Sequence, residues 1–247
     1  MRVDVEATIL QAFPYSETSR ILRLLTAEHG VQSVIAKGAR RPKSRYGGIL
    51  EPFTDGIASF SLRENRDLHT LSGFELVRSR QALGRDLVRF GGASLLAEIV
   101  LRTASQQAAP EIFHHVRHAF EALRDAPSDT VESVALAQVW SLIAVLGFAP
   151  ALDRCVGCGE PTGEGDLFFD YSAGGLHCGE CGAMAGTGRV IPEAARVDLA
   201  RFCHGLDGGV GRTGAHWQLL ARFLAYHLVD ARSLRSLEFL AAATEDG

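Results

Sequence analysis

Residues 155–181 have the sequence CVGCGEPTGEGDLFFDYSAGGLHCGEC, in which two Cys-x-x-Cys pairs are separated by 19 residues. Each pair can present two sulfur atoms from one tight loop, and two such loops supply the tetrahedron of thiolates that zinc binds at about 2.3 Å. The spacing therefore predicts a zinc site with Cys155, Cys158, Cys178 and Cys181 as ligands. Four thiolates leave no position for water, so the site is expected to be structural. Redox dithiols or unrelated core cysteines are the alternatives for this pattern.

The residues between and beyond the two pairs fit a small metal module. Phe168, Phe169 and Tyr171 are predicted to form an apolar plug between the cysteine turns, and His177 offers a further nitrogen next to a cysteine. The fifth cysteine, Cys203, stands alone in the sequence. It is expected to be a buried thiol, because an unpaired cysteine behaves as a small hydrophobic residue.

The sequence on both sides of this module has helical periodicity. Residues 131–146 are apolar nearly all round, which predicts a helix at the centre of a bundle. Asp129 and Glu132 have the spacing of a capping box at its start. Two more helices are predicted downstream, at about 192–204 and 216–228, with the glycine-rich segment 205–214 between them.

Farther upstream, apolar and polar residues alternate with the period of β-strands. Five short strands are predicted within the first 80 residues, at 5–9, 21–25, 31–36, 53–60 and 68–77. Their number and length fit a Greek-key barrel such as an OB-fold, and an SH3-like barrel fits nearly as well. The expected fold class is α+β: a five-stranded OB-fold barrel in residues 1–79, then an α-helical domain in residues 80–247. The zinc module is inserted in that second domain at about 150–190.

The charge distribution differs between these parts. Residues 1–80 contain 12 Lys+Arg and 9 Asp+Glu, whereas residues 81–247 contain 13 and 20. Five of the cations fall in nine residues directly after the third predicted strand: Lys37, Arg40, Arg41, Lys43 and Arg45. Loops between strands are where OB-folds contact nucleic acid, so this loop is predicted to bind DNA or RNA phosphates, with Arg20 and Arg23 extending the patch. A solvated charged loop is the alternative, and Tyr15 and Tyr46 are candidates either for base stacking or for core packing.

The sequence contains no convincing nucleophile–base pair, and this predicts a binding protein rather than an enzyme. A ligase acting on nucleic-acid ends would need a Lys-x-Asp-Gly motif, and neither Lys37 nor Lys43 lies in one. An RNA-binding factor built from an OB-fold and a zinc module remains an alternative. The N-terminus lacks an apolar secretory segment and residues 134–152 are too polar for a membrane span, so a cytoplasmic location is expected.

Several motifs in this order resemble one known family. They are YSETSR at 15–20, LTAEHG at 25–30, AKGARRPKS at 36–44, LEPF at 50–53, LIAVLGFAPALDRCVGCG at 142–159, GGLHC at 174–178, and the segments 226–228 and 234–236. Together they resemble the bacterial RecO family of recombination mediators over nearly the whole chain. The basic loop followed by the cysteine module is the more specific part of the resemblance.

The resemblance implies an OB-fold on a helical domain with a zinc module, whose four cysteines are all present here. It also implies binding of single- and double-stranded DNA and annealing of complementary strands. The expected partners are RecR, the tail of single-strand-binding protein (SSB) and, indirectly, RecA, which is loaded onto SSB-coated strands. The expected location is the cytoplasm, in association with the nucleoid.

Overall fold

The structure is a computed structural model that describes residues 1–63, 66–103, 107–183, 188–207, 213–228 and 234–245. The chain divides into two compact units. The first comprises Met1–Asp86 and Leu96–Arg124, and the second comprises Leu87–Leu95 and Asp125–Gly247. The domain boundary predicted after residue 79 stays a prediction.

Five strands of the first unit form a closed barrel. They are β1 (Arg2–Tyr15), β2 (Ser19–Thr26), β3 (Gly30–Ala36), β4 (Asp55–Ser61) and β5 (His69–Arg78). The strands are ordered β1-β2-β3-β5-β4, and β4 pairs back onto β1 to close the barrel. The β3–β5 pairing is parallel and the other pairings are antiparallel. This Greek-key closure confirms the predicted OB-fold.

Strand alternation produces the barrel core. Val3, Val5 and Ala7 of β1 point inward and are buried, whereas the intervening Asp4 and Glu6 are exposed. Phe60 of β4 is fully buried in the same cluster. Burying a side chain of this size contributes about 1.5–3 kcal/mol, so the inward residues supply much of the stability of this barrel.

An ion pair is buried in the first unit, between the barrel and helix α2 (Pro110–Asp125). The Arg80 side chain is 1% exposed, and its Nη1 and Nη2 donate to Oδ1 and Oδ2 of Asp55 at 2.9 and 2.7 Å. Its Nε donates to Oε1 of Glu121 on α2 at 2.7 Å, and Nη1 also donates to the carbonyl oxygen of Phe53 at 2.8 Å. The buried guanidinium is therefore paired with two carboxylates and one carbonyl.

Asp55 has further donors on both sides. Thr8 of β1 donates its hydroxyl to Oδ1 at 2.7 Å, and Arg117 of α2 donates from Nε to Oδ2 at 3.1 Å. Arg117 also reaches the exposed Glu6 at 2.7 Å. One buried carboxylate thus joins two strands, the segment after β5 and helix α2.

The second unit is built around α3 (Val131–Val145), whose residues are almost all buried. Helices α5 (Glu193–Cys203) and α6 (Thr213–His227) pack on it, and Trp140 of α3 contacts Phe223 of α6 with ring centroids 5.1 Å apart. Helix α7 (Arg235–Glu245) follows. The boundary between the two units falls within α1 (Leu87–Thr103). Among the described residues, no helix is long and apolar enough to cross a bilayer.

The predicted capping box before α3 is wrong. The residue at the N-cap is Thr130, not Asp129, and its side chain makes no capping hydrogen bond. Glu132 instead accepts a hydrogen bond from Nε1 of Trp217 on α6 at 3.0 Å. The Glu132 carboxylate, which the sequence pattern assigned to the helix N-terminus, is therefore hydrogen-bonded to a residue of another helix. In the glycine-rich segment 205–214, residues 208–212 lie outside the described residues.

We expect Asp55→Asn to destabilise the first unit by about 3–5 kcal/mol, because it removes the buried carboxylate that accepts two hydrogen bonds from Arg80 and leaves Glu121 as the one remaining counter-charge described for this guanidinium. The matched control is Glu6→Gln, the same acid-to-amide change at the 60% exposed end of the network; it should cost less than about 1 kcal/mol. Both tryptophans, Trp140 and Trp217, lie in the second unit, so urea unfolding should be followed by circular dichroism. Equal losses in the two variants would contradict the assignment.

Candidate metal centre and nucleic-acid interface

The cysteines lie in a small module of the second unit. Strands β6 (Leu167–Asp170), β7 (Gly175–His177) and β8 (Gly188–Ile191) form an antiparallel sheet in the order β7-β6-β8. The first pair sits on a turn that is closed by a hydrogen bond from the backbone N–H of Gly159 to the carbonyl oxygen of Cys155, at 2.9 Å. Gly159 has φ +78°, a conformation that glycine adopts at no steric cost. The second pair lies at the end of β7 and in the one-turn helix α4 (Gly179–Gly182).

The structure brings the four predicted ligands together. The sulfur atoms of Cys155, Cys158, Cys178 and Cys181 all lie within 4.8 Å of one another. Those of Cys158 and Cys178 are 3.8 Å apart, which equals the edge of about 3.8 Å that a tetrahedron with 2.3 Å metal–sulfur bonds requires. Among the described residues, these cysteines are the group whose ligand atoms are close enough to hold a metal ion.

The thiols of the cluster influence one another's ionisation. Backbone N–H groups, first that of Cys178 and then those of Cys158 and Gly157, lower the pKa of Cys155 to about 5. Hydrogen bonds with the neighbouring cysteine side chains raise the pKa of Cys181 to about 12. One thiol therefore ionises readily while a neighbour keeps its proton. A bound cation favours the thiolate form of every ligand, which is how a metal would hold all four sulfurs together.

His177 bridges the cluster to a carboxylate rather than joining the ligands. Its Nδ1 lies 3.9 Å from Sγ of Cys155, and its Nε2 lies 3.3 Å from Oδ2 of Asp170. Burial opposes ionisation of Asp170, but hydrogen bonds from Ser172 and Ala173 hold the pKa of this carboxyl below its ordinary value. Asp170 did not stand out in the sequence. The sequence feature that could have indicated its role is that Asp170 precedes the Gly174–Gly175 turn, after which the chain returns to His177.

The aromatic residues of the module divide between its two faces. Phe169 is fully buried and lies 6.3 Å from Phe223 of α6 between ring centroids, whereas Phe168 is on the opposite face, 6.1 Å from His177. His227 of α6 donates from Nε2 to the carbonyl oxygen of Tyr171 at 2.9 Å. The predicted plug thus faces a helix as well as the cysteine turns, because adjacent strand residues point in opposite directions. Cys203 lies on α5, and burial raises the pKa of its thiol to about 12.

The basic loop lies on the barrel, in the first unit. Its five cationic side chains are exposed: Lys37, Arg40, Arg41, Lys43 and Arg45. The loop is held to the β1–β2 turn, since the backbone N–H of Arg40 donates to the carbonyl oxygen of Thr18 at 2.9 Å and Arg40 Nη1 donates to that of Ser16 at 3.2 Å. A cluster of exposed positive charge therefore has a fixed attachment at one end of the barrel.

Arg20 and Arg23 lie on opposite faces of β2. Arg20 donates from Nη1 to the carboxylate of Glu51 at 2.8 Å and to the carbonyl oxygen of Leu50 at 3.0 Å, beside a cleft of about 250 Å³. Arg23 is half-buried and stands between Gln11 of β1 and Ser33 of β3. The structure thus does not bring the two arginines to one surface, because residues three apart on a strand point in opposite directions.

The two tyrosines considered for base stacking have different environments. Tyr46 is 3% exposed, and its hydroxyl donates to the carbonyl oxygen of Leu71 and accepts from Nη2 of Arg45 at 2.8 Å. Tyr15, at the end of β1, is 48% exposed. Tyr46 therefore belongs to the barrel core, and Tyr15 presents its ring to solvent.

The fold and the cysteine site define the class of the protein: an OB-fold protein with a helical region that carries a cluster of four cysteines able to hold a metal ion. The family model described as Recombination protein O N terminal matches residues 1–80, and the model described as Recombination protein O C terminal matches residues 84–238. The chain belongs to the RecO family.

Curated relatives resemble the chain over nearly its full length. The protein named DNA repair protein RecO of Anaeromyxobacter dehalogenans (strain 2CP-C) is 33% identical, over 97% of this chain and 96% of the relative. The proteins of the same name from Pelotomaculum thermopropionicum and from Nocardioides sp. (strain ATCC BAA-499 / JS614) are 32% and 30% identical, over 95% of this chain and 92% and 97% of the relatives.

We expect Cys178→Ser/Cys181→Ser to abolish metal binding, because it removes half of the ligand set. The purified wild type should contain about one metal ion per chain by elemental mass spectrometry, and the variant close to none. Its melting temperature, followed by the fluorescence of Trp140 and Trp217, should fall as well. The control is Cys203→Ala, which should keep the metal. Full metal content in the double variant would argue against this site.

His177→Leu should weaken metal binding by about 10- to 100-fold, the usual effect of removing a group that orients a metal ligand. Competition with a chromophoric chelator measures the affinity. His118→Leu, a change at an exposed histidine of α2 in the other unit, is the matched control and should have wild-type affinity. The bridging role is refuted if both variants compete equally well with the chelator.

Proposed function

We propose that this protein is a non-enzymatic DNA-binding mediator of recombination repair, whose barrel binds the phosphate backbones of single- and double-stranded DNA. The observation that carries the proposal is the basic loop: five exposed cations on nine residues, held to the end of an OB-fold barrel. Arginine and lysine side chains are the usual phosphate ligands. Membership of a family whose relatives are named DNA repair proteins supports the same assignment.

The basic loop would act by charge. Two complementary strands repel each other through their phosphates, and a protein that neutralises phosphates on both releases counterions and lowers that repulsion. Lys37, Arg40, Arg41, Lys43 and Arg45 are the proposed phosphate contacts, with Arg23 and Arg20 at the margin. Arg20 is the weaker contact of the two, because Glu51 already neutralises part of its charge. Watson–Crick pairing would then select the partner strand, so annealing should not depend on sequence.

We assign the metal as zinc, because four thiolates in a tetrahedral arrangement suit this ion and leave no open position. When bound, the zinc supplies a structural cross-link and no catalysis. Cys155, Cys158, Cys178 and Cys181 would hold it, and the module would transmit the stabilisation to α6 through Phe169 and Tyr171. Loss of the metal should therefore destabilise the second unit without removing a DNA contact of the basic loop.

The proposed partners follow from the family alone. They are RecR, the acidic tail of SSB and, indirectly, RecA, which the protein would help to load onto SSB-coated single strands. The proposed location is the cytoplasm, in association with the nucleoid. Binding, positioning and release of strands would be the whole activity, with no bond made or broken by this chain.

The proposal predicts strongly salt-dependent binding of a single-stranded oligonucleotide. If four loop cations contact phosphates, the logarithm of the binding constant should fall with the logarithm of salt concentration with a slope of at least about −3, from ~0.7 per contact. The variant Lys37→Glu/Arg40→Glu/Arg41→Glu/Lys43→Glu should lose most of its affinity and slope, and should anneal complementary strands slowly. Fluorescence anisotropy across a salt series measures the affinity and the salt slope.

The matched control keeps the charge at the same positions: Lys37→Arg/Arg40→Lys/Arg41→Lys/Lys43→Arg. It should retain a slope close to that of the wild type, because counterion release counts charges rather than side-chain shape. A folded charge-reversed variant with wild-type affinity and slope would mean that the loop is only solvated. A clear preference of the wild type for structured RNA would favour an RNA-binding factor instead.

A further inference from the structure

The outer face of strands β1, β2 and β3 has an apolar row near the end that leads into the β1–β2 turn. Cα pairing places Phe13 opposite Ile21, and Ile21 opposite Ile35. The neighbouring row of Ala12, Leu22 and Val34 points into the barrel core. Since adjacent residues of a strand face opposite sides, Phe13, Ile21 and Ile35 share the outer side. Phe13 is 37% exposed and the two isoleucines are half-buried. The row is therefore accessible to a ligand.

A second aromatic ring continues this row. Tyr15 is two residues beyond Phe13 on the same face of β1, about 6.8 Å along the strand. Tyr15 is 48% exposed, so two solvent-accessible rings lie on the outer side of this part of the sheet. Exposed aromatic rings cost free energy in water unless something covers them, and nucleobases are flat apolar surfaces that stack on such rings.

Cationic side chains border the aromatic row. Arg23 lies in the next row, opposite Gln11 and Ser33, and the exposed Lys37 directly follows β3. Nε of Arg23 is buried and has no hydrogen-bond partner among the described residues. This nitrogen is enclosed by the protein, but no carboxylate of the described residues pairs with the Arg23 guanidinium, so its charge can attract a phosphate beside this face.

The same face is joined to the basic loop. Arg40 is hydrogen-bonded through its backbone N–H to Thr18 and through its side chain to Ser16, in the turn that directly follows Tyr15. A nucleic-acid strand whose phosphates lie on the basic loop therefore has its neighbouring bases within reach of the aromatic row.

We propose that Tyr15 and Phe13 form a stacking platform for the unpaired bases of a single DNA strand, with Arg23 and Lys37 holding the adjacent phosphates. The bases of a duplex are stacked on each other and cannot lie flat on the platform, so it discriminates single-stranded from double-stranded DNA. The basic loop, by contrast, acts on phosphates and serves both. This inference rests on the proposed DNA-binding function and adds the residues that select unpaired strands.

The test compares Phe13→Ala/Tyr15→Ala with the wild type on three probes: an oligo(dT) strand, an abasic strand of the same length and a blunt duplex of that length. Stacking contributes roughly 5- to 150-fold in affinity per base. We expect the double variant to bind oligo(dT) at least about tenfold more weakly, with an unchanged salt slope. Its affinity for the duplex and for the abasic strand should match that of the wild type.

Two control variants separate stacking from general loss of apolar surface. Leu76→Ala/Val77→Ala removes two exposed apolar side chains from β5 of the same barrel and should leave all three affinities unchanged. Tyr15→Phe keeps the ring and should bind oligo(dT) like the wild type. Because Phe13 and Tyr15 are exposed, the melting temperature of the double alanine variant should stay close to that of the wild type.

The outcomes distinguish this inference from the proposed function. If the wild type binds oligo(dT) and the double alanine variant binds it equally well, the platform is refuted while the DNA-binding function stands. Equal losses on oligo(dT), abasic strand and duplex would also refute stacking, because the two residues would then contribute to DNA binding whether or not unpaired bases are present. A wild type that binds none of the three probes would refute both.

Discussion

The buried pair of Asp55 and Arg80 is the interaction on which the first unit depends. Its hydrogen bonds join β4, the segment after β5 and helix α2, and Arg80 also holds the carbonyl of Phe53, which has φ +65°. That conformation costs a bulky residue free energy unless its surroundings enforce it. Phe53 packs edge-to-face on Phe120 of α2, 5.0 Å away between ring centroids. A buried charge pair stabilises less than its Coulomb energy suggests, but it penalises every arrangement that leaves one charge alone, and so specifies how α2 meets the barrel.

In the second unit, the cysteine module is coupled to the helices by a few close contacts. Gly174 shows how tight they are, because a Cβ atom there would lie 2.9 Å from the ring of His227. That ring holds the carbonyl of Tyr171, and Tyr171 stacks on Tyr226 with a centroid distance of 6.5 Å. Metal bound by the four cysteines would thus stabilise α6 as well as the turns that carry the ligands.

In the proposed function, the barrel would divide two kinds of nucleic-acid contact between its parts. The loop after β3 presents charges that do not distinguish one strand from two, whereas the outer face of β1–β3 presents rings that would accept only unpaired bases. Strand alternation produces this division, since it sends Ala12 and Leu22 into the core and Phe13 and Ile21 outward from the same two strands. It also explains why Arg20 turns to Glu51 while Arg23 remains at the margin of the aromatic row.

The sequence by itself determined the OB-fold barrel, the helices around residues 131–145 and the cysteine cluster. These depend on local periodicity and on a ligand spacing that few other structures require. Only the tertiary structure decided which tyrosine is exposed to solvent. Tyr15 and Tyr46 are equivalent candidates in the sequence, but the folded chain buries Tyr46 in the barrel core and leaves Tyr15 exposed. It also decided that Asp55 is buried among cations and that Glu132 serves Trp217 rather than a helix cap. The partners of these carboxylates are distant in sequence, and a buried carboxylate is stable only where the folded chain brings hydrogen-bond donors to it. Local sequence patterns therefore do not predict them.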